Sequence, residues 1–210
     1  APILSKELNA QIYLKEDNLQ LTGSFKIRGA FNKLATMDKN KRNNGVVAAS
    51  AGNHAQGLAF AAQHFNCTAT IFMPEATPLT KVSGVKLYGA NVVLHGENFD
   101  EAYEAATKYA EEQNKEFVHP FADDNVIAGQ GTIALEILEK IDDIEHIIVP
   151  IGGGGLISGI AIAAKTLNPK IKITGVVAKG ARGMKESFDS RMPIDSDFVK
   201  TIADGIAVRD

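Results

Sequence analysis

Lys26, in the run Thr22-Gly23-Ser24-Phe25-Lys26, and the four glycines Gly152-Gly153-Gly154-Gly155 are residues whose types suit one joint chemistry. A lysine amine withdrawn from water, or set beside another positive charge, has a lowered pKa and becomes a nucleophile able to form a Schiff base with a carbonyl compound. Lys26 follows the cap-like Thr22-Gly23-Ser24 and precedes Ile27, Ala30, Phe31 and Leu34, which share one helical face. It therefore projects from the first turn of a packed helix. Taken alone, Lys26 has a simpler alternative as a solvated lysine, the usual state of that residue type. The glycines follow His146 to Pro150, a run of buried-strand type, and precede Leu156, Ile157, Ile160, Ala161, Ala164 and Leu167 at helical spacing. Strand, glycines, helix is an anion-binding order: residues without side chains admit a phosphate close to the main chain, and the helix dipole adds its positive end. A carbonyl cofactor that carries a phosphate would engage both features.

A dinucleotide is the first rival ligand for the glycines. Its fingerprint needs glycine at relative positions one, three and six, and an acidic residue about 20 residues further on. Counted from Gly152 the sixth position is Ile157, from Gly153 it is Ser158, and from Gly154 the third is already Leu156. The next strand-like run, Ile171 to Val177, has Lys179 near its end where the acid is needed. A phosphate without a ribose is the better ligand; the alternative is a tight strand-to-helix turn with no ligand. Ser50-Ala51-Gly52-Asn53-His54 forms a second such loop, between the apolar run Val46 to Ser50 and a helical segment through Phe65. Its N–H groups suit a carboxylate, and the Asn53 amide either donates to a phenolate oxygen or only caps the helix.

Ser24-Phe25-Lys26-Ile27-Arg28-Gly29-Ala30, Ser50-Ala51-Gly52-Asn53-His54-Ala55-Gln56-Gly57 and Gly152-Gly153-Gly154-Gly155-Leu156-Ile157-Ser158-Gly159 together resemble the threonine/serine dehydratases. These are pyridoxal-phosphate enzymes of the tryptophan-synthase-β-like fold. The resemblance runs essentially end to end, and Gly129-Gln130-Gly131-Thr132 and Ala203-Asp204-Gly205 look like further segments of it. It implies Lys26 as the Schiff-base lysine, Phe25 packed beside the cofactor and Asn53 bonded to the pyridoxal 3′ oxygen. It implies Gly152, Gly153, Gly154, Gly155 and Leu156 on the phosphate, and Ser50, Ala51, Gly52, Asn53 and His54 on the substrate carboxylate. The implied reaction is a β-elimination in which Lys26, displaced by the amino acid, takes the Cα proton while the pyridine ring accepts the electrons. Loss of the β-hydroxyl, protonated by the cofactor phosphate, leads to a 2-oxo acid and ammonia: 2-oxobutanoate from L-threonine, pyruvate from L-serine.

The resemblance also carries expectations that the residues qualify. A serine racemase of the same fold and a non-enzymatic nucleotide-binding module are the alternatives. Racemases place acidic cation ligands after the strand ending near Val177, whereas Lys179 to Lys185 is basic, which argues against a metal site. Leu21 stands where nucleotide-activated members often carry Arg, which weighs against AMP activation. The residue that contacts the pyridine nitrogen is expected beyond Asp210. A start at Ala1-Pro2, with family members longer at both ends, reads as a processed or partial chain. Isoleucine biosynthesis and amino-acid degradation remain equally open as roles.

These residues need a scaffold that gathers them. Strand-like runs at Ile12–Leu14, Val46–Ala49, Thr68–Phe72, Asn91–Leu94, Phe117 and His146–Pro150 alternate with helical segments, the pattern of an α/β fold with mostly parallel strands and helices on both faces. The resemblance makes this fold type II: a large domain from 1–44 and 126–210, a small domain from 45–125 inserted into it, and the cofactor in the interdomain cleft. Asp38 to Asn44 reads as a solvated connection near the boundary. A 210-residue chain that is 45 % hydrophobic buries a sizeable core. A net charge of −3 gives no reason to expect nucleic-acid or membrane partners, and no stretch reaches the roughly 18 apolar residues of a membrane helix. Cys67 is the one cysteine, compatible with a reducing cytoplasm, and the five histidines form no metal-ligand spacing. A homodimer or homotetramer acting on a small amino acid is the expectation from family resemblance.

Overall fold

The computed structural model describes residues 1–196 and 199–208. Its helices are α1 Pro2–Glu7, α2 Lys26–Thr36, α3 Lys39–Asn44, α4 Asn53–His64, α5 Leu79–Lys86, α6 Phe99–Glu112, α7 Asp124–Lys140, α8 Gly155–Leu167 and α9 Gly183–Ser190. Its strands are β1 Val46–Ala49, β2 Ala69–Met73, β3 Asn91–Leu94, β4 Glu116–Phe117, β5 His146–Pro150 and β6 Lys172–Val176. They form a four-stranded sheet of order β3-β2-β1-β4 and a two-stranded sheet β5-β6. Every pairing among these strands is parallel; Val46 lies opposite Ala69 and His146 opposite Lys172.

The expected alternation follows from what each element buries. β1 and β2 are buried along their whole length, as central parallel strands covered on both faces must be. Val46, Ala48, Ile71 and Met73 pack on one side with Ala30 and Leu34 of α2, Leu58 of α4 and Val82 of α5. Val47, Ala49 and Phe72 pack on the other with Ala102, Ala106 and Ala110 of α6. The two-stranded sheet departs from the expected pattern. Its described helices α7 and α8 cover the face of Ile147 and Val149, while Ile148 between them is 65 % exposed.

Helix starts are set by side chains that take the otherwise unpaired first N–H groups. Asp38 accepts from Asn40 and Lys41, Asn98 from Glu101, and Asp123 from Asn125 and Val126. Asp38 thereby turns the expected connection at 38–44 into α3, a short surface helix. The expected strand at Ile12–Leu14 is irregular instead. Ile12 donates its N–H to Ser5 Oγ and accepts from the Ala1 ammonium, so its main chain is paired locally, and Tyr13 and Leu14 are exposed.

The Gly129-Gln130-Gly131-Thr132 segment lies within α7, where that helix touches two others at once. A Cβ on Gly129 would come 2.5 Å from the Arg28 carbonyl oxygen, and a Cβ on Gly131 would come 2.9 Å from the Gly159 carbonyl oxygen. Between them the buried Gln130 side chain accepts from the Gly29 N–H at 3.1 Å. Only residues without Cβ allow α7 to lie this close to both α2 and α8. The consequence is positional: the helix that begins at Lys26 and the helix that begins at the glycine run are held against one common element.

Candidate active site

Lys26 is the first residue of α2, where the helix dipole disfavours a cation. Its Nζ donates to the Pro120 carbonyl oxygen at 2.8 Å and lies 5.3 Å from the centroid of the Phe25 ring and 5.9 Å from that of Phe121. Burial lowers its pKa from 10.5 to about 8, so a useful fraction of uncharged amine exists near neutral pH. The site is built where strands end. The loops after β1, β4 and β5 carry residues 50–52, 118–123 and 151–154, all at the carboxyl ends of parallel strands, where open α/β sheets bind ligands.

After β1, Ser50 donates its N–H to the Phe72 carbonyl, and its hydroxyl accepts from Gly52 at 3.2 Å. Asn53 opens α4 as its first helical residue with an exposed side chain, and Gly52 is the cap residue. The alternative in which Asn53 caps the helix is therefore not what forms. The N–H groups of Ala51, Asn53 and His54 have no hydrogen-bond partner among the described residues. His54 itself turns inward. Its Nε2 is 2.9 Å from the Val118 carbonyl oxygen, which can only accept, so Nε2 carries the proton. Burial, reinforced by the Lys26 charge, lowers the pKa of His54 to about 3, and its Nδ1 is buried with no partner among the described residues. The Thr22 and Ser24 hydroxyls, just before Lys26, are likewise buried with no partner among the described residues.

After β5, Gly154 has φ +82, which turns the chain into α8. A Cβ on Gly153 would lie 2.5 Å from atoms of the Phe121 ring, and one on Gly155 would lie 2.8 Å from the Phe121 carbonyl oxygen. No described residue accepts from the N–H groups of Gly152, Gly153 or Gly154, and those of Gly155 and Leu156 belong to the first turn of a helix, which has no internal acceptor for them.

One cleft of 2240 Å³ is lined by Phe25, Lys26, Ser50, Ala51, Gly52, Asn53, His54, Gly152, Gly153, Gly154, Gly155 and Leu156. The structure thus brings every residue expected to hold the cofactor or the substrate to the same cavity. It adds His119, Pro120 and Phe121, which the sequence reading did not single out as site residues; the only signal was their place after a short strand. That loop is fixed in turn. His119 Nδ1 accepts from the N–H groups of Phe121 and Ala122, and Lys33, deep in α2, pairs with Glu116 at 2.9 Å and Asp123 at 2.6 Å on either side of it. Arg28, two residues after Lys26, pairs with Asp17 at 2.7 Å and with Glu136 of α7 at 2.5 Å. For Arg28, burial alone would lower the pKa, but bonds to Glu136 and Asp17 outweigh it and raise it. Those from Arg28 hold Glu136 down to about 2. The chemistry on offer is a nucleophilic amine of lowered pKa in one cleft with two groups of main-chain donors suited to anions.

The model of the pyridoxal-phosphate dependent enzyme family matches residues 1–210, and the chain belongs to that family. It is 52 % identical over 207 residues to an L-threonine ammonia-lyase of Thermotoga maritima, covering 99 % of this chain and 52 % of that protein. It is 45 % identical over 204 residues to a catabolic L-threonine dehydratase of Escherichia coli K12, covering 97 % of this chain and 62 % of that one. The processed form of threonine deaminase isoform 2 from Solanum lycopersicum superposes with TM-score 0.96 at 42 % identity, over 100 % of this chain and 58 % of that one. Maize serine racemase superposes with TM-score 0.95 at 36 % identity, over 99 % and 63 %. The chain spans about half the length of the Thermotoga relative.

Proposed function

We propose that the protein is a pyridoxal-phosphate-dependent threonine dehydratase that converts L-threonine to 2-oxobutanoate and ammonia, and L-serine to pyruvate. The observation that carries this reading is the Lys26 amine, with its pKa lowered to about 8, in one cleft with two sets of main-chain donors that have no acceptor among the described residues. The residues fit pyridoxal phosphate: a lysine for its aldehyde, and a glycine cradle, too tight for any Cβ at Gly153 or Gly155, for its phosphate. When bound, that cofactor supplies the aldehyde and a pyridine ring that takes up the electron pair released at the substrate Cα.

The chain's own residues then divide the work. Gly152 to Leu156 hold the phosphate through N–H groups at the start of α8. Ser50 to His54 hold the substrate carboxylate in the same way at the start of α4, and the exposed Asn53 amide donates to the phenolate oxygen. His54 acts through its main-chain N–H, because its ring is neutral and committed to Val118. Phe25 and Phe121 keep water from the Lys26 amine, which takes the Cα proton as a general base of suitable pKa. The segments 1–44 and 126–210 form one domain around an inserted 45–125 domain in this reading, with the cleft between them. We place the enzyme in the cytoplasm as a homodimer or homotetramer.

The test is turnover of L-threonine by wild type and Lys26→Ala, scored as 2-oxobutanoate. Lys26→Ala is expected to lose activity by more than a thousandfold while still retaining a folded circular-dichroism spectrum; substantial remaining activity rejects the assigned role. The likeness to maize serine racemase supports a second reading, racemisation, which predicts D-serine rather than pyruvate from L-serine.

A further inference from the structure

We infer that Phe121 is a specificity-determining residue, an apolar wall against the β-substituent of the amino acid that favours threonine over serine. This rests on the dehydratase reading of the cleft. A base that removes a Cα proton must approach that carbon to about 3–3.5 Å, and the β-substituent is then two bonds further along. The aromatic rings within reach of such a group are those nearest the Lys26 Nζ, Phe25 at 5.3 Å and Phe121 at 5.9 Å to centroid.

The two rings are not equivalent. Phe25 packs on the core cluster of Ile133, Ile160 and Leu156. Phe121 is half-buried and lines the cleft, with its ring against Gly153 and edge-on to the His119 ring at 4.6 Å and 89°. Its neighbour Pro120 holds the amine through its carbonyl oxygen at 2.8 Å, so the ring and the acceptor that holds the base sit on adjacent residues. The Phe121 N–H donates to His119 Nδ1 at 3.2 Å, which sets the backbone from which the ring projects. The ring therefore has a set position relative to the atom that does the chemistry. Threonine differs from serine by one β-methyl, and one methyl buried on an apolar wall discriminates by roughly fivefold to tenfold.

The test is internal competition: the holoenzyme is given equal concentrations of L-threonine and L-serine, and the ratio of 2-oxobutanoate to pyruvate is read. That ratio is independent of the fraction of active enzyme, so partly folded variants still report. Phe121→Ala is expected to lower it by about fivefold to tenfold, and Phe121→Leu by about twofold. If Phe121→Ala gives no turnover, Phe121→Leu and Phe121→Val carry the same graded expectation. A second readout needs no turnover: calorimetric affinities for L-2-aminobutyrate and L-alanine, which differ by the same methyl and have no leaving group, should converge in Phe121→Ala. An unchanged product ratio and an unchanged affinity ratio across the series overturn the inference. Wild-type protein that forms neither 2-oxo acid overturns the dehydratase reading instead, so the two failures are distinct.

Discussion

Replacing Lys26 with methionine should stabilise the cofactor-free protein at neutral pH, and the gain should disappear as the pH rises. The side chains have similar length and apolar stems, so the substitution chiefly removes a titrating amine. The folded-state pKa of about 8 lies below the ordinary 10.5, so between these values the unfolded chain binds a proton that the folded one does not. Stability of the wild type therefore rises with pH across that window. At 1.36 kcal/mol per pKa unit, keeping the ammonium in its site below pH 8 costs about 3 kcal/mol. Methionine avoids that cost but leaves the Pro120 carbonyl without its donor, a pH-independent loss of about 1–2 kcal/mol. Urea unfolding followed by far-ultraviolet circular dichroism, at pH 7, 8, 9 and 10, gives the difference between variant and wild type. We expect Lys26→Met to be more stable by about 1–2 kcal/mol at pH 7 and the difference to shift by about 2–3 kcal/mol in favour of the wild type by pH 10. A difference independent of pH would show that Lys26 titrates as an ordinary surface lysine, and would refute the desolvation that makes it a nucleophile.

Other parts of the structure are open to equally direct checks. Gly131→Val should destabilise by about 3 kcal/mol or more in urea unfolding, because its Cβ would meet the Gly159 carbonyl oxygen at 2.9 Å; a loss below 0.5 kcal/mol would mean α7 and α8 are not this close. Gly154→Asp should weaken pyridoxal-phosphate binding at least tenfold by fluorescence titration, through both its φ of +82 and a carboxylate set against the phosphate. Arg28→Met should cost about 3–5 kcal/mol, since Asp17, with a side chain 13 % exposed, would lose its partner; a near-neutral result would assign α2 its position by packing alone. Acid should weaken the fold in two steps. His54, lowered to about 3, favours the folded state progressively less as pH falls from 6.5, and Glu136, lowered to about 2, adds a loss below its ordinary 4.5. His54→Asn should flatten the upper step.

Much of this arrangement is legible in the sequence because it rests on side-chain type and period. Val46 to Ala49 is a continuous apolar run since β1 is covered on both faces, and Ala102, Ala106, Tyr109 and Ala110 fall on one face of α6 because that face is buried. The glycine run is legible because the absence of side chains is itself the requirement. The 118–121 loop is silent because it acts through main-chain carbonyls: Val118 holds His54 and Pro120 holds Lys26, and every residue type has a carbonyl. The Ile12–Leu14 run misled because three apolar residues fit a strand equally well when Ser5 and the amino terminus supply the partners. Gly129 and Gly131 stand out in sequence, yet their reason appears only where α7 meets α2 and α8. The pairing of Arg28 with Glu136 joins residues 108 apart in sequence, a distance no local pattern spans.

Reduction of the intact, pyridoxal-phosphate-loaded protein with borohydride, followed by peptide mass spectrometry, tests the central claim most directly. The expected result is a visible absorption band that borohydride removes and a single pyridoxyl group on Lys26. A protein that stays colourless with added pyridoxal phosphate, or a pyridoxyl group spread over surface lysines with Lys26 unmodified, would contradict the claim.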